Sequence, residues 1–235
     1  MSGCTTVLLL ILLLFCVRLF SVIFSSRCLR LPPANPTARQ TCSIAIFLGS
    51  GGHTSEALKM ASALDFSRYS PRIYIISEGD AFSAQKALAL EHIKATTDHS
   101  FSDDQPQYKL LTIPRARRVH QSLLSTPPDA VKSLLACMYL VSVRPLFTKG
   151  TFRQPLADLL ILNGPGTCVI LCAAVLLNRL IGLPSPRVMY VESFARVKSL
   201  SLSGKLLYHF ADRFVVQWPD LVQPGGREDY RGCLV

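Results

Sequence analysis

The chain has 235 residues and a mass of 25.9 kDa, which is enough for one domain of ordinary size plus an appendage but too little for a two-domain enzyme of average dimensions. Its 49% hydrophobic and 17% charged residues exclude a disordered chain, and the mean hydropathy of +0.33 indicates that part of it contacts lipid. The formal net charge is +10, but the sequence has no nucleic-acid-binding motif. The eight cysteines show neither CxxC nor zinc-ligand spacing. We therefore expect no nucleic-acid partner, and free thiols in a reducing compartment.

The first predicted element is a membrane-spanning helix. Residues 5–24 read TTVLLLILLLFCVRLFSVIF, a run with one charge, Arg18, and about the length that crosses a ~30 Å hydrocarbon core. A cleaved secretory signal is the alternative, but no basic residue precedes the run and no small-x-small site follows it. Basic residues do follow it, and no acidic residue occurs before Glu56, so the positive-inside rule puts the rest of the chain in the cytosol. The predicted divisions are an anchor (1–26), a proline-containing linker (27–41) and a folded domain (42–235).

The folded domain alternates short apolar strands with helical patterns. Strands are predicted at 43–48, 72–77, 109–113, 158–162, 187–191 and 213–217, and helices at 54–64, 81–92, 129–143, 168–181 and 202–210. This alternation is typical of a doubly wound α/β domain, a parallel sheet with helices on both faces. The apolar run from Cys168 to Leu177 could be a second membrane span, but Asn178 and Arg179 interrupt it after ten residues, which favours a buried core helix.

A glycine-rich turn follows the first predicted strand and carries the main chemical signal. Glycines let the backbone approach a ligand, and the amide groups at the start of the next helix suit an anion such as a pyrophosphate. Either Thr54 or Ser55 could cap that helix. His53 could be a general base or a phosphate ligand, or a capping or packing histidine, and the sequence leaves these alternatives open. The residues of the turn predicted to bind an anion are Gly49, Ser50, Gly51, Gly52 and Thr54.

Polar residues also follow the later strands, and any one set could be an ordinary capped loop. In a doubly wound sheet these turns meet at the carboxyl edge of the strands, so together they predict one ligand crevice. Its further candidate residues are Asp80, Ser83, Arg115, Arg117, Asn163, Gly164, Gly166, Thr167, Glu192, Ser193 and Arg196. Residues 109–153 hold eight basic side chains against one acidic residue, Asp129, and this basic segment could face the membrane or simply be solvated.

Six motifs carry a resemblance to a known family. They are GSGGHTSEAL, SEGDAFSAQK, IPRARRVHQS, DLLILNGPGTC, VMYVESFARVKSLSLSGKLLY and ADRFVVQWPDL, in this order behind an apolar N-terminal segment. From residue 44 to its C-terminus the chain resembles the asparagine-linked-glycosylation-fourteen family, the membrane-anchor subunit of an endoplasmic-reticulum UDP-N-acetylglucosamine transferase.

The resemblance implies half of an enzyme. The fold would be the Rossmann-like N-terminal half of a GT-B glycosyltransferase, which holds the lipid acceptor, while a soluble subunit of the asparagine-linked-glycosylation-thirteen family holds the sugar nucleotide. Together they would transfer N-acetylglucosamine from UDP-N-acetylglucosamine to dolichyl-pyrophosphoryl-N-acetylglucosamine. The complex would lie on the cytosolic face of the endoplasmic reticulum, and the nuclear envelope stays open as a second location. No cofactor and no metal are expected.

Roles for particular residues follow from their positions in the crevice for the two candidate bases, and from the resemblance for the C-terminal tail. His53 is the first candidate for the general base, and Glu192 is the alternative because a carboxylate at the end of the fifth strand could reach the same crevice. The C-terminal tail is expected to pack on the soluble subunit through Gly232, Cys233, Leu234 and Val235. A competing hypothesis is a purely structural membrane receptor that recruits the soluble subunit and takes no part in the chemistry.

Overall fold

The computed structural model describes residues 3–28, 41–97, 107–116, 126–145 and 154–235. The strands are β1 (Ile44–Leu48), β2 (Arg72–Ser77), β3 (Tyr108–Ile113), β4 (Leu159–Asn163), β5 (Arg187–Val191), β6 (Arg213–Val216) and β7 (Glu228–Tyr230). The helices are α1 (Gly3–Cys28), α2 (Gly52–Ser62), α3 (Ala81–Thr97), α4 (Thr126–Met138), α5 (Thr167–Leu180) and α6 (Leu202–Leu207), and a 3-10 turn covers Pro219–Leu221.

The seven strands form one sheet in the order β3-β2-β1-β4-β5-β6-β7, and all neighbouring strands are parallel. The first six strands in this order are those of a Rossmann-type sheet, so the predicted α/β fold is confirmed. β7 was not predicted, because its three residues, EDY, carry no apolar alternation and lie in a segment that reads as a polar tail. It pairs with β6 at the edge of the sheet.

Helices cover both faces of the sheet, and the side chains of each strand alternate between two cores. Along β1, Ala45 and Phe47 pack with α4, α5 and α6, whereas Ile44, Ile46 and Leu48 pack with α2 and α3. All five are buried, which explains why this strand is continuously apolar. The two helical layers leave the ends of the strands as the places where functional groups can reach a ligand.

The predicted helices are all present, with shifted ends. α2 begins at Gly52 and α6 ends at Leu207, while α4 begins at Thr126 with two prolines in its first turn and continues into a π-helical turn at Tyr139–Val143. The buried-helix interpretation of the 168–177 run is confirmed. α5 is only 14 residues long, and it is packed in the core through Cys168, Leu171, Cys172, Ala174 and Val175.

α1 is a candidate membrane span. Its most apolar window, Thr5–Val22, has a mean hydropathy of 2.5, and 6% of that window is buried against the rest of the protein. Arg18 donates hydrogen bonds to the carbonyl oxygens of Arg179 (2.9 Å) and Leu180 (3.3 Å) at the C-terminal end of α5, where a cation offsets the helix dipole. The helix runs to Cys28, two residues beyond the predicted anchor, and residues 29–40 of the predicted linker lie outside the described residues.

Candidate functional site

The candidate site lies between the carboxyl ends of β1 and β4. These strands are neighbours, yet α2 follows β1 onto one face of the sheet and α5 follows β4 onto the other. In doubly wound sheets the crevice opens at this reversal of strand order, the topological switch point. His53 follows β1 and Asn163 is the last residue of β4, and the distance between His53 Nδ1 and Asn163 Oδ1 is 3.3 Å. The two strands therefore bring this histidine and this amide together at the switch point.

The glycine-rich turn lies at the mouth of this crevice. Ser50 and Gly51 have φ values of 64° and 57°, and Gly51 precedes the first helical residue of α2. A Cβ atom built on Gly51 or Gly52 would meet no atom within 4 Å, so the outer surface of the turn is open. The prediction that Thr54 or Ser55 could cap α2 was wrong. Gly51 occupies the capping position, and no side chain makes a capping hydrogen bond.

Two glycines shape the space around His53. A Cβ atom on Gly49 would lie 2.5 Å from Cδ of Pro165, and one on Gly164 would lie 2.2 Å from Nδ1 of His53. Gly164 also has a φ of +98°, which non-glycine residues rarely adopt. These two glycines let the imidazole and the turn after β4 pack closely, and their contact with a ligand stays a prediction.

Glu56 is a site residue that the sequence analysis missed. Its Oε2 accepts hydrogen bonds from Asn163 Nδ2 (3.0 Å) and the Phe194 amide (3.2 Å), and its Oε1 accepts one from Ser193 Oγ (2.9 Å). The signal that could have found it is its spacing, since positions 53 and 56 are three residues apart and share one face of α2. Glu56 joins the turns that follow β1, β4 and β5.

Glu192 has the contacts of a structural carboxylate. It is fully buried, and its oxygens accept hydrogen bonds from the Ser193 amide (3.0 Å), the Ser201 amide (3.0 Å) and the Ser201 hydroxyl (3.1 Å). A Cβ atom on Gly204 would lie 2.1 Å from its Oε2, so α6 packs directly over the carboxylate. The role of Glu192 as an alternative base stays a prediction, and these contacts favour a role in holding the loop between β5 and α6.

Burial keeps the groups behind Glu192 neutral. It raises the pKa of the Tyr190 phenol, and the Glu192 carboxylate adds to the rise. It likewise raises the pKa of the Cys168 thiol well above its usual value, with the neighbouring Cys172 as a smaller cause. Neither group can therefore serve as an ionised nucleophile or base near neutral pH.

The predicted ligand-binding hydroxyls beside α3 are engaged within the protein. Thr54 Oγ1 lies 2.6 Å from Ser83 Oγ, and Ser83 Oγ donates to Asp80 Oδ2 at 2.7 Å. Thr54 and Ser83 are fully buried and Asp80 is 9% exposed. This hydrogen-bond chain ties α2 to the turn after β2. Ligand contact by these three side chains stays a prediction.

The remaining predicted crevice residues differ in exposure. Gly166 is exposed at the start of α5, Thr167 is buried in its first turn, and Arg196 is exposed in the loop after β5. Arg115 is partly buried after β3, and its Nε has no hydrogen-bond partner among the described residues. Arg117 lies outside the described residues, as do three other basic residues of the basic segment, Arg118, Lys149 and Arg153. Within the parts that the structure describes, no three His, Cys, Asp or Glu side chains form a group that could hold a metal ion.

Comparison with known proteins identifies the family. A family model described as "Oligosaccharide biosynthesis protein Alg14 like" matches residues 44–234, which is most of the chain and the whole sheet. The chain belongs to the Alg14 family. The matched residues run from β1 to β7, so the match covers positions 53, 56 and 163 of this chain.

Relatives from distant organisms are similar over most of their length. A protein of Cryptococcus neoformans var. neoformans serotype D is 49% identical over 179 residues, which is 76% of this chain and 75% of that protein. A Rattus norvegicus relative is 40% identical over 223 residues (94% and 93%), and a Homo sapiens relative is 38% identical over 200 residues (85% and 86%). All three are named UDP-N-acetylglucosamine transferase subunit ALG14.

In this member of the Alg14 family the C-terminal tail folds back onto its own sheet. The Leu234 amide donates to Gln217 Oε1 at 3.2 Å, and Gln217 Nε2 donates to the Glu192 carbonyl oxygen at 3.0 Å. Gly232 has a φ of +85°, and the Cys233 side chain is exposed. The predicted packing of residues 232–235 on a soluble subunit stays a prediction, and the exposed Cys233 gives a way to test it.

Proposed function

We propose that the chain is the membrane-anchoring, acceptor-binding subunit of a two-protein UDP-N-acetylglucosamine transferase in the synthesis of N-linked glycan precursors. In this proposal it recruits a soluble subunit of the asparagine-linked-glycosylation-thirteen family, which holds UDP-N-acetylglucosamine. The pair adds the second N-acetylglucosamine to dolichyl-pyrophosphoryl-N-acetylglucosamine on the cytosolic face of the endoplasmic reticulum. The reaction uses these two substrates and no further cofactor.

The observation that carries the proposal is the pairing of His53 with Asn163 at the switch point of the sheet. Membership of the Alg14 family and the names of the relatives support the transferase. The candidate membrane span supports an acceptor that is itself a lipid. A protein that only recruited a partner to the membrane would have no need of a partly exposed imidazole beside an open glycine-rich turn.

His53 acts as the general base in the proposed reaction. The 4-hydroxyl oxygen of the acceptor sugar forms a bond to C1 of the donor N-acetylglucosamine. The bond from C1 to the UDP oxygen breaks, UDP leaves with the electron pair, and the hydroxyl proton passes to Nε2 of His53. The open outer surface of the turn at Gly51 and Gly52 faces the acceptor pyrophosphate, whose charge suits the amide groups at the start of α2.

Turnover by variant complexes at saturating acceptor tests the proposal. His53→Ala is expected to lower the rate by about 10² to 10⁴, the usual contribution of a general base, without loss of the complex or of membrane attachment. His92→Ala, the same substitution at an exposed position on α3, is the matched control and should keep the full rate. Glu192→Gln should affect the stability of the protein more than the rate, because Glu192 is buried under α6.

Two results would contradict the proposal. A near-normal rate for the His53→Ala complex would place the base on the soluble subunit and favour the purely structural receptor. Turnover by the purified chain alone, with no second polypeptide detectable, would show that it is not half of an enzyme.

A further inference from the structure

Glu56 and Asn163 form a chain of hydrogen bonds that ends on His53. The Asn163 side-chain nitrogen, Nδ2, donates to Glu56 Oε2 at 3.0 Å and to the Val191 carbonyl oxygen at 3.3 Å. Both partners are oxygen acceptors, so a flipped amide would place its own oxygen against two other oxygens. The amide orientation is thereby fixed by chemistry, and Oδ1 is the atom that faces His53 Nδ1 at 3.3 Å.

This orientation determines which nitrogen of the imidazole carries the proton. An amide oxygen can only accept a hydrogen bond, so Nδ1 must donate, and the lone pair of the neutral ring is then on Nε2. Among the described residues, no hydrogen-bond partner contacts Nε2, and the side chain is partly exposed. Nε2 is therefore the ring atom that is free to accept a proton.

We propose that Glu56 and Asn163 are positioning residues that hold His53 as its Nδ1–H tautomer. The effect of these two residues on the rate rests on the proposed function, in which Nε2 takes the proton of the acceptor hydroxyl. In serine proteases a carboxylate fixes the histidine tautomer directly, and loss of the correct tautomer there costs about 10⁴ in rate. Here an amide lies between the carboxylate and the histidine.

The surroundings hold this relay of Glu56, Asn163 and His53 rigid. Asn163 is 1% exposed and ends β4, while His53 and Glu56 lie in the first two turns of α2. The Gly164 backbone packs against the imidazole ring, close enough that a Cβ atom there would overlap it. A ring that is hydrogen-bonded to a buried amide and packed against the Gly164 backbone keeps its orientation when the acceptor binds.

Glu56 also supplies a negative charge, and no basic side chain of the described residues forms an ion pair with it. Its three donors are neutral groups: the Asn163 amide, the Ser193 hydroxyl and the Phe194 backbone amide. An imidazolium forms at His53 when Nε2 takes a proton, and a carboxylate one amide away stabilises that charge. A purely structural Glu56 would tie the loop after β5 to α2 but would have no effect on the state of His53.

Nitrogen NMR of the full chain, labelled with ¹⁵N-histidine in nanodiscs, measures the tautomer directly. In alkaline buffer, where imidazoles are neutral, the protonated and the bare ring nitrogens resonate far apart. We expect wild type to show the proton on Nδ1 of His53, and Asn163→Ala to shift the population toward the Nε2–H form. A wild-type proton on Nε2 would overturn the proposal even if Asn163→Ala failed to fold. An unchanged spectrum in a folded Asn163→Ala would also overturn it.

Kinetics of the complex then separate the charge of Glu56 from its geometry. Glu56→Gln can keep the hydrogen bonds, so we expect the wild-type tautomer with kcat about tenfold lower and KM unchanged. Lys59→Gln, which removes a charge from an exposed position one turn along α2, should leave both values unchanged. A wild-type kcat for Glu56→Gln would overturn the role of the charge.

The proposed function fails by a different result. If His53→Ala kept its rate while the wild-type spectrum showed the Nδ1–H tautomer, His53 would not be the base, although Glu56 and Asn163 would still fix its tautomer. The spectrum therefore decides the relay, and the rate of His53→Ala decides the general base.

Discussion

Gly164→Ala tests whether the placement of the His53 ring matters. The added Cβ atom would lie 2.2 Å from Nδ1, whereas ordinary contact begins at 3.4 Å, so the ring must move by about 1.2 Å. Such a movement takes Nδ1 from 3.3 Å to beyond hydrogen-bond distance of Asn163 Oδ1. A misplacement of about 1 Å typically costs about 10² in rate, so we expect kcat of the complex to fall at least that far.

Backbone strain contributes separately and needs its own control. Gly164 has a φ of +98°, and an alanine held at that angle is strained by about 1–3 kcal/mol. This strain lowers the free energy of unfolding of the variant. Gly182 has a φ of +80°, and a Cβ atom there would meet only Arg18 Nη2, at 3.8 Å. Gly182→Ala should therefore lose comparable stability in thermal unfolding but keep its turnover. If folded Gly164→Ala also kept its turnover, the position of the His53 ring would be irrelevant to the rate.

Four further predictions concern the buried thiols, the C-terminal tail, stability and membrane attachment. Burial raises the pKa of the Cys137 and Cys172 thiols to about 12, so at pH 8 they hold little thiolate and should react with iodoacetamide only after unfolding, as mass spectrometry would show. Exposed Cys233 should react in the native chain and be protected in the complex, and equal labelling in both would remove the tail from the interface. Glu91→Ala leaves the Arg72 guanidinium buried without its bidentate partner, so it should lower the free energy of unfolding by about 3–5 kcal/mol in a denaturant titration. A loss below about 1 kcal/mol would contradict the importance of this ion pair. Deleting α1 should shift the protein from the carbonate-resistant membrane pellet to the soluble fraction, and full retention in the pellet would refute its role as the anchor.

The sheet could be predicted because its strands are buried on both faces. β2 and β5 were placed without error, since RIYIIS and RVMYV are continuous apolar runs bounded by polar turns. β7 could not be predicted, because EDY is stabilised by pairing with β6 and by the ion pair of Asp229 with Arg213, and neither is visible in a local pattern.

The position of the crevice could be predicted, but the partners of its side chains could not. The turns after β1 and β4 meet because these strands are neighbours at the switch point, and the alternation of strands and helices predicts a doubly wound sheet with its crevice at such a point. Glu56 escaped notice because on the sequence it is one more charged residue on a helix. Its importance depends on contacts with Asn163 and Phe194, which are more than a hundred residues away.

Burial divides the predicted crevice residues into two groups with different expected effects. Thr54, Ser83 and Asn163 have their hydroxyl or amide groups engaged by other residues of the protein, so a ligand could reach them only by breaking those hydrogen bonds. A broken buried hydrogen bond costs about 1–3 kcal/mol, which a pyrophosphate would have to repay at each contact. The open backbone of the glycine-rich turn and Nε2 of His53 carry no such cost. The acceptor is therefore expected to bind mainly through backbone amides, with the imidazole as the reacting side chain and with the buried Asn163 holding that imidazole in place.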